Sequence, residues 1–216
     1  MTPFSFFDNL LIERSNIKDE AEMIKKNDGD TKAKIIDAAY KVLADIGHEK
    51  ASMKEIAKEA GVAQGLINYY FPSKEDLLFE LFHTETNRYC DAMKKIDEIP
   101  LSQTFIRDAL KIPMEMVNSH PEWHRLRFEL FAIGLRSEKG SQEIANSLQS
   151  GREQAIQSMS KLTLGDNVNK DAIASILIAI LDGLALQQMT DPEFDRDSVY
   201  GTVAELLEIY VAVKNK

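Results

Sequence analysis

The sequence predicts an all-α fold in two parts, an N-terminal three-helix cluster and a larger helical body. Three observations predict it. Apolar residues recur at three- and four-residue spacing from residue 31 to the end, without strand-like alternation. Helix start and stop signals crowd residues 47–76: Ser52 with Glu55, Ser73 with Asp76, and the breakers Gly47, Gly61 and Pro72. The stretch Ala172–Leu186 is apolar nearly all round, as a helix covered on more than one side must be.

Residues 1–30 pair an apolar patch, Phe4 to Ile12, with a charged tail ending at Asn27-Asp28-Gly29-Asp30. They form an N-terminal extension: either a partly ordered leader or a short helix whose Phe4, Phe7 and Leu11 side packs on the body or a partner subunit. Asp30 or Thr31 caps a helix in which Ile35, Ala39, Val42 or Leu43, and Ile46 share a face and Gly47 is the stop. Ser52 opens a second helix in a capping box, with Ile56, Ala57 and Ala60 on its apolar side, and Gly61 closes it. Gln64–Tyr70 is a short third helix that buries Leu66 and Ile67 beside Phe71 and turns Gln64, Asn68, Tyr69 and Tyr70 outward. Two short helices joined by a tight Gly-containing turn make a helix-turn-helix over residues 31–76.

From Lys74 a long helix runs toward Glu98, ended by Ile99-Pro100. Helices then follow over Leu101–Asn118 (with Pro113 inside), from Pro121, over Ser141–Leu164, over Val168–Met189 and over Ser198–Val213. Residues 77–216 are thus a second, wholly helical domain. Its last two helices carry more apolar surface than one chain can cover, so they are expected to pair with their copies in a homodimer. Ala172, Ala179, Gly183, Leu186, Val203, Leu207 and Tyr210 are the candidate interface, with Ile176, Ile180 and Leu184 turned to the core.

The formal charge of −9 argues against an indiscriminate nucleic-acid coat. Residues 31–76 nonetheless balance, with seven Lys against seven Asp and Glu, so attraction to phosphate must come from placement at helix N-termini. One cysteine, Cys90, fits a reducing compartment; with no secretory signal and no apolar run of about 20 residues, a cytoplasmic protein without a membrane span is expected.

The polar third helix is where chemistry concentrates. Gln64 and Asn68 have the groups to pair bidentately with adenine in a major groove, Gly65 permits close approach, and Tyr69 and Tyr70 reach phosphate or a thymine methyl. Lys74, Ser52 and Lys54 stand at helix starts suited to phosphate, though Ser52 is equally a cap. His120 and His124 have metal-ligand spacing around Glu122, but no third ligand is evident, and neither a metal nor a cofactor is expected. No nucleophile–base pair and no phosphate-cradling loop are visible, which speaks against an enzyme.

The run G-V-x-x-G-x-I-x-Y-x-F-x-S-K-E-x-L, from Gly61 to Leu77, resembles the DNA-binding domain of TetR/AcrR-type transcriptional regulators, as does the preceding TKAKIIDAAYKVLADIGHEKAS. The chain departs from that pattern at Leu66 and Asn68. The resemblance implies a dimer on double-stranded operator DNA, acting as a repressor, and DNA contacts at Gln64, Gly65, Asn68, Tyr69, Tyr70 and Lys74, to which Ser52 and Lys54 are added by their place at a helix start. It also implies an effector pocket among the central helices for a small molecule of unknown identity. Tyr89, Met93, Met114, Trp123, Arg127, Phe128 and Phe131 are its candidate apolar or aromatic lining, with Arg125, Arg127, Glu115 or Glu129 as polar anchor. The same residues also suit a helical interaction or ligand-binding module whose helix-turn-helix does not bind DNA.

Overall fold

The computed structural model describes residues 5–165 and 168–214, with side chains from residue 28 onward. In order, the helices are α1 (Ser5–Lys50), α2 (Met53–Ala60), α3 (Gln64–Tyr70), α4 (Lys74–Met93), a 3-10 turn (Lys94–Glu98), α5 (Phe105–Ser119), α6 (Pro121–Gly134), α7 (Glu138–Met159), α8 (Lys170–Thr190) and α9 (Arg196–Lys214). Among the described residues there is no strand. The chain divides into two compact units, Met1–Leu77 and Leu78–Lys216.

In the first unit the helix expected to begin at Asp30 or Thr31 is instead the second half of one that starts at Ser5. The charged, Ala- and Met-containing stretch before residue 27 favours helix, and Gly29 costs only about 1 kcal/mol against that. The expected packing of Phe4, Phe7 and Leu11 lies outside the described side chains. Gly47 breaks the helical path with φ 73° and ψ 168°, as a stop signal should. Ile35, Ile36, Ala39 and Leu43 are buried on α1, and Ile56, Ala57 and Ala60 on α2, which packs along it.

The corner into α3 is built locally. The Ser52 N–H donates to Glu55 Oε2 (2.8 Å) and the Glu55 N–H donates to Ser52 Oγ (3.2 Å), completing the capping box. Gly61 then takes the left-handed conformation, φ 64° and ψ 37°, and the Gly61 and Val62 N–H groups close onto the Lys58 and Ala57 carbonyls. Ser73 and Asp76 repeat the reciprocal cap at the start of α4.

In the second unit α5, α8 and α9 enclose one core cluster around Leu110, Met114, Leu184, Tyr200, Val203 and Ala204. A second cluster joins α7 to α8 through Met159, Val168, Ile173 and Ala174. The α6–α7 corner is a contact of backbone on backbone: a Cβ added at Gly140 would lie 2.4 Å from the Gly134 carbonyl oxygen and 2.5 Å from its Cα. No side chain fits there without moving the corner. Gly140→Ala is therefore expected to lower stability by about 2 kcal/mol or more, whereas Gly29→Ala, with nothing within 4 Å, is expected to leave it unchanged or raised in the same denaturant titration.

Helix α8 is long and apolar enough to cross a membrane by length and composition alone. Its outward side carries Ala172, Ile176, Ala179, Gly183 and Leu186, and α9 adds Leu206, Ile209 and Val213, each more than 60% exposed. Two expectations are corrected here. Val203 is buried in the α5–α8–α9 core, with Leu207 packed beside it, so neither heads the outward face. Ile176, expected inside, is 58% exposed. Both follow from helix rotation: on α9 the pair Val203 and Leu207 faces in, which turns Leu206, Ile209 and Val213 out.

Candidate functional site

Two sites emerge, one on each unit. On the first, Ile67 is fully buried and anchors α3 from behind, which leaves Gln64, Gly65 and Asn68 exposed and Tyr69 74% exposed. Leu66, expected to be buried, is 38% exposed, because a seven-residue helix braced at Ile67 has only one inward position of this kind. Ser52 and Lys54 are exposed at the start of α2.

The remaining two residues expected at the DNA surface have partners within the unit. The Tyr70 hydroxyl donates to the Asp28 carboxylate, an interaction that also holds the phenol above its usual pKa. The Lys74 ammonium is half-buried and donates to the His48 carbonyl at 2.6 Å, tying α4's first residue to the end of α1. Neither partnership was legible locally, since Tyr70 and Asp28 are 42 residues apart.

The second unit holds a cavity of about 170 Å³ walled by α4, α5, α6, α7, α8 and α9. Tyr89, Met93, Trp123 and Arg127, four of the candidate effector-pocket residues, line it. Met114, Phe128 and Phe131 do not. Met114 belongs to the α5–α8–α9 core. Phe128 is rotated off the face that Trp123 and Arg127 share at i, i+4. Phe131 lies a turn further on, edge-to-face with Phe82 at 5.7 Å and beneath the Arg127 guanidinium at 4.5 Å.

The cavity's polar part is one network. Arg127 is buried, and its Nε and Nη2 donate to the two Asp182 carboxylate oxygens at 3.2 and 2.9 Å. Its Nη1 reaches Ser147 Oγ at 3.4 Å, and Ser147 shares a 3.0 Å hydrogen bond with Thr86. Of the candidate anchors, only Arg127 turns inward; Arg125 and Glu115 are exposed, and Glu129 does not line the cavity. Asp182, Ser147 and Thr86 were missed. A lone carboxylate in the apolar run Ala172–Leu186 was the available signal, since a buried charge demands a partner.

Tyr89 stacks on Trp123 with ring centroids 4.5 Å apart, and His124 meets both rings edge-on. His120 is exposed while His124 is buried, so the two do not share an environment. Burial, reinforced by the Arg127 charge, drops His124 to a pKa of about 4, and neither ring nitrogen has a hydrogen-bond partner. The folded protein therefore holds the ring neutral where the unfolded chain protonates it. Stability is expected to be complete above the unfolded value near 6.5 and to fall as pH drops from there toward 4, by at most about 1.4 kcal/mol per pH unit from this group. Denaturant titrations at pH 7.5 and 5 should show that loss, and His124→Phe should reduce it.

Comparison with known proteins places these features in context. Residues 35–81 match the family model described as bacterial regulatory proteins, tetR family. The HTH-type transcriptional regulator PksA of Bacillus subtilis (strain 168) is 30% identical over 182 residues, 81% of this chain and 86% of the relative. A TetR transcription regulator from Haloarcula marismortui superposes with a TM-score of 0.66 at 17% identity, covering 85% of this chain and 98% of the other. The regulator FadR from Bacillus subtilis, solved in complex with stearoyl-CoA, gives 0.60 at 23% identity, covering 81% and 96%.

Proposed function

Because the chain belongs to the TetR family of bacterial DNA-binding transcriptional regulators, we propose that it is a homodimeric repressor that a small apolar molecule releases from operator DNA. The observation that carries the DNA half is α3 itself: a rod exposing Gln64, Gly65, Asn68 and Tyr69 over a fully buried Ile67. In that reading Gln64 and Asn68 meet base edges, while Tyr69, Ser52 and Lys54 meet phosphate or sugar. Tyr70 and Lys74 act chiefly by bracing α3 and α4, given their bonds to Asp28 and His48.

Two copies must present α3 to successive major grooves, about 34–36 Å apart. The outward apolar strip of Ile176, Ala179, Gly183 and Leu186 with Leu206, Ile209 and Val213 supports pairing through α8 and α9. We take residues 1–30, 31–76 and 77–216 as extension, DNA-binding domain and effector-and-dimerisation domain, working in the cytoplasm on chromosomal DNA.

Helix α4 supports the coupling. It starts at Lys74 within the first unit and supplies Thr86, Tyr89, Cys90 and Met93 to the cavity wall in the second. A ligand displacing those residues moves the rod that carries Lys74. Release follows only if the ligand binds the DNA-incompetent state more tightly.

The neutral balance of residues 31–76 favours one other reading, a helix-turn-helix that docks a protein. A salt titration of a palindromic duplex separates the two. DNA binding is expected to weaken with a log–log slope of about −0.9 per phosphate contact. Affinity that ignores salt, or no affinity for any duplex selected from a random pool, would overturn the repressor reading.

A further inference from the structure

We propose that the cavity takes an uncharged, elongated aliphatic molecule carrying one carbonyl oxygen, which seats between Ser158 and Gln154. The proposal rests on the effector reading and narrows it to a chemical class.

Shape comes first. Lining residues on α7 run from Ser147 to Met159, a span of thirteen residues, or roughly 18 Å of helix. Met93, Ile96, Phe105, Leu177 and Leu181 make the facing walls apolar. A long chain fits such a channel better than a compact polycycle.

Charge comes second. Among the described residues Arg127 and Asp182 are the only charged ones in the lining, and they pair with each other. A buried anion would have to take Arg127 from Asp182 and strand that carboxylate. A buried cation fares no better. The Arg127 guanidinium already lies 5.5 Å from the ring of Trp123 in the lining, so that aromatic face holds a cation of its own. The lining offers no spare counter-charge in either sign.

Unsatisfied donors come third. Ser158 is buried, its Oγ has no partner, and it lines the cavity. Gln154 Nε2, one turn earlier on the same face of α7, is also buried without a partner and lines the same space. An amide N–H donates only and a hydroxyl donates readily, so one carbonyl oxygen with its two lone pairs suits both. Leaving such groups unmade is costly, and a ligand that satisfies them recovers that cost.

The test uses a built-in reporter, since Trp123 is the chain's single tryptophan and lies in the cavity wall. Its fluorescence is titrated at pH 8 with three probes sharing a ten-carbon chain: methyl decanoate, decanoate and decyltrimethylammonium. Methyl decanoate is expected to bind at least about tenfold more tightly than either ion. Ser158→Ala and Gln154→Leu are each expected to weaken the ester about three- to tenfold while leaving the melting temperature unchanged or raised, because each removes a group without a partner. Equal or tighter binding of either ion overturns the proposal, as does unaltered ester affinity in both variants or the absence of saturable binding. Operator release is measured separately: an ester that saturates the cavity yet leaves the DNA complex intact overturns the effector reading and leaves this inference standing.

Discussion

Replacing Gln64 and Asn68 together with alanine is expected to lower operator affinity by about two to four orders of magnitude, since each bidentate base pair contact is worth roughly 1–3 kcal/mol. Both side chains are exposed on α3, so the fold should not notice: surface changes of this kind stay within about ±0.5 kcal/mol. The salt slope should also hold, because base contacts are removed and phosphate contacts kept. Tyr70→Phe should behave differently, losing the bond to Asp28 and with it stability rather than sequence preference. Fluorescence anisotropy with operator and scrambled duplexes reads both effects. Undiminished operator affinity in the double variant would remove α3 from its assigned role.

Arg127→Met is expected to destabilise the protein by about 3 kcal/mol, because it leaves the Asp182 carboxylate without the two bonds that hold it. The figure sits at the low end for a broken buried pair since the Asp182 side chain keeps 26% of its exposure. For a chain of this size that corresponds to a fall in melting temperature of roughly 6–12 °C. Asp182→Leu alone should also destabilise, stranding a guanidinium among aromatic rings. Arg127→Met with Asp182→Leu should recover most of the loss, since apolar replacement of a whole buried pair is often neutral. A double-mutant cycle from thermal melts measures the coupling. A value under about 0.5 kcal/mol would mean that the pair behaves as a surface contact.

What the chain spells out plainly is local. The Ser52–Glu55 box, the left-handed Gly61 and the Ser73–Asp76 cap each depend on residues within a few positions of one another, and each could be read directly. The extent of α1 could not, because residues 27–30 look like a break and only the helix-favouring neighbours on both sides decide otherwise. Rotation was the harder problem. Met114 and Val203 are apolar at the right spacing for cavity or interface, yet a rotation of their helices by one position puts both in the core. The network at Arg127 needed four helices to be brought together. Its single advance sign was the acid in α8.

Three lysines of the first unit, Lys32, Lys41 and Lys74, are engaged within it. Lys74 serves the His48 carbonyl, Lys41 lies 3.6 Å from Glu59, and Lys32 stands over the Phe71 ring at 5.8 Å. With residues 31–76 balanced in charge, the proposed DNA-binding head is expected to grip arbitrary sequence weakly, since attraction there is almost wholly electrostatic. On the repressor reading proposed above, random chromosome then makes a poor decoy, and few molecules are needed for each operator. The cost is a slower search, conducted more by free diffusion than by sliding.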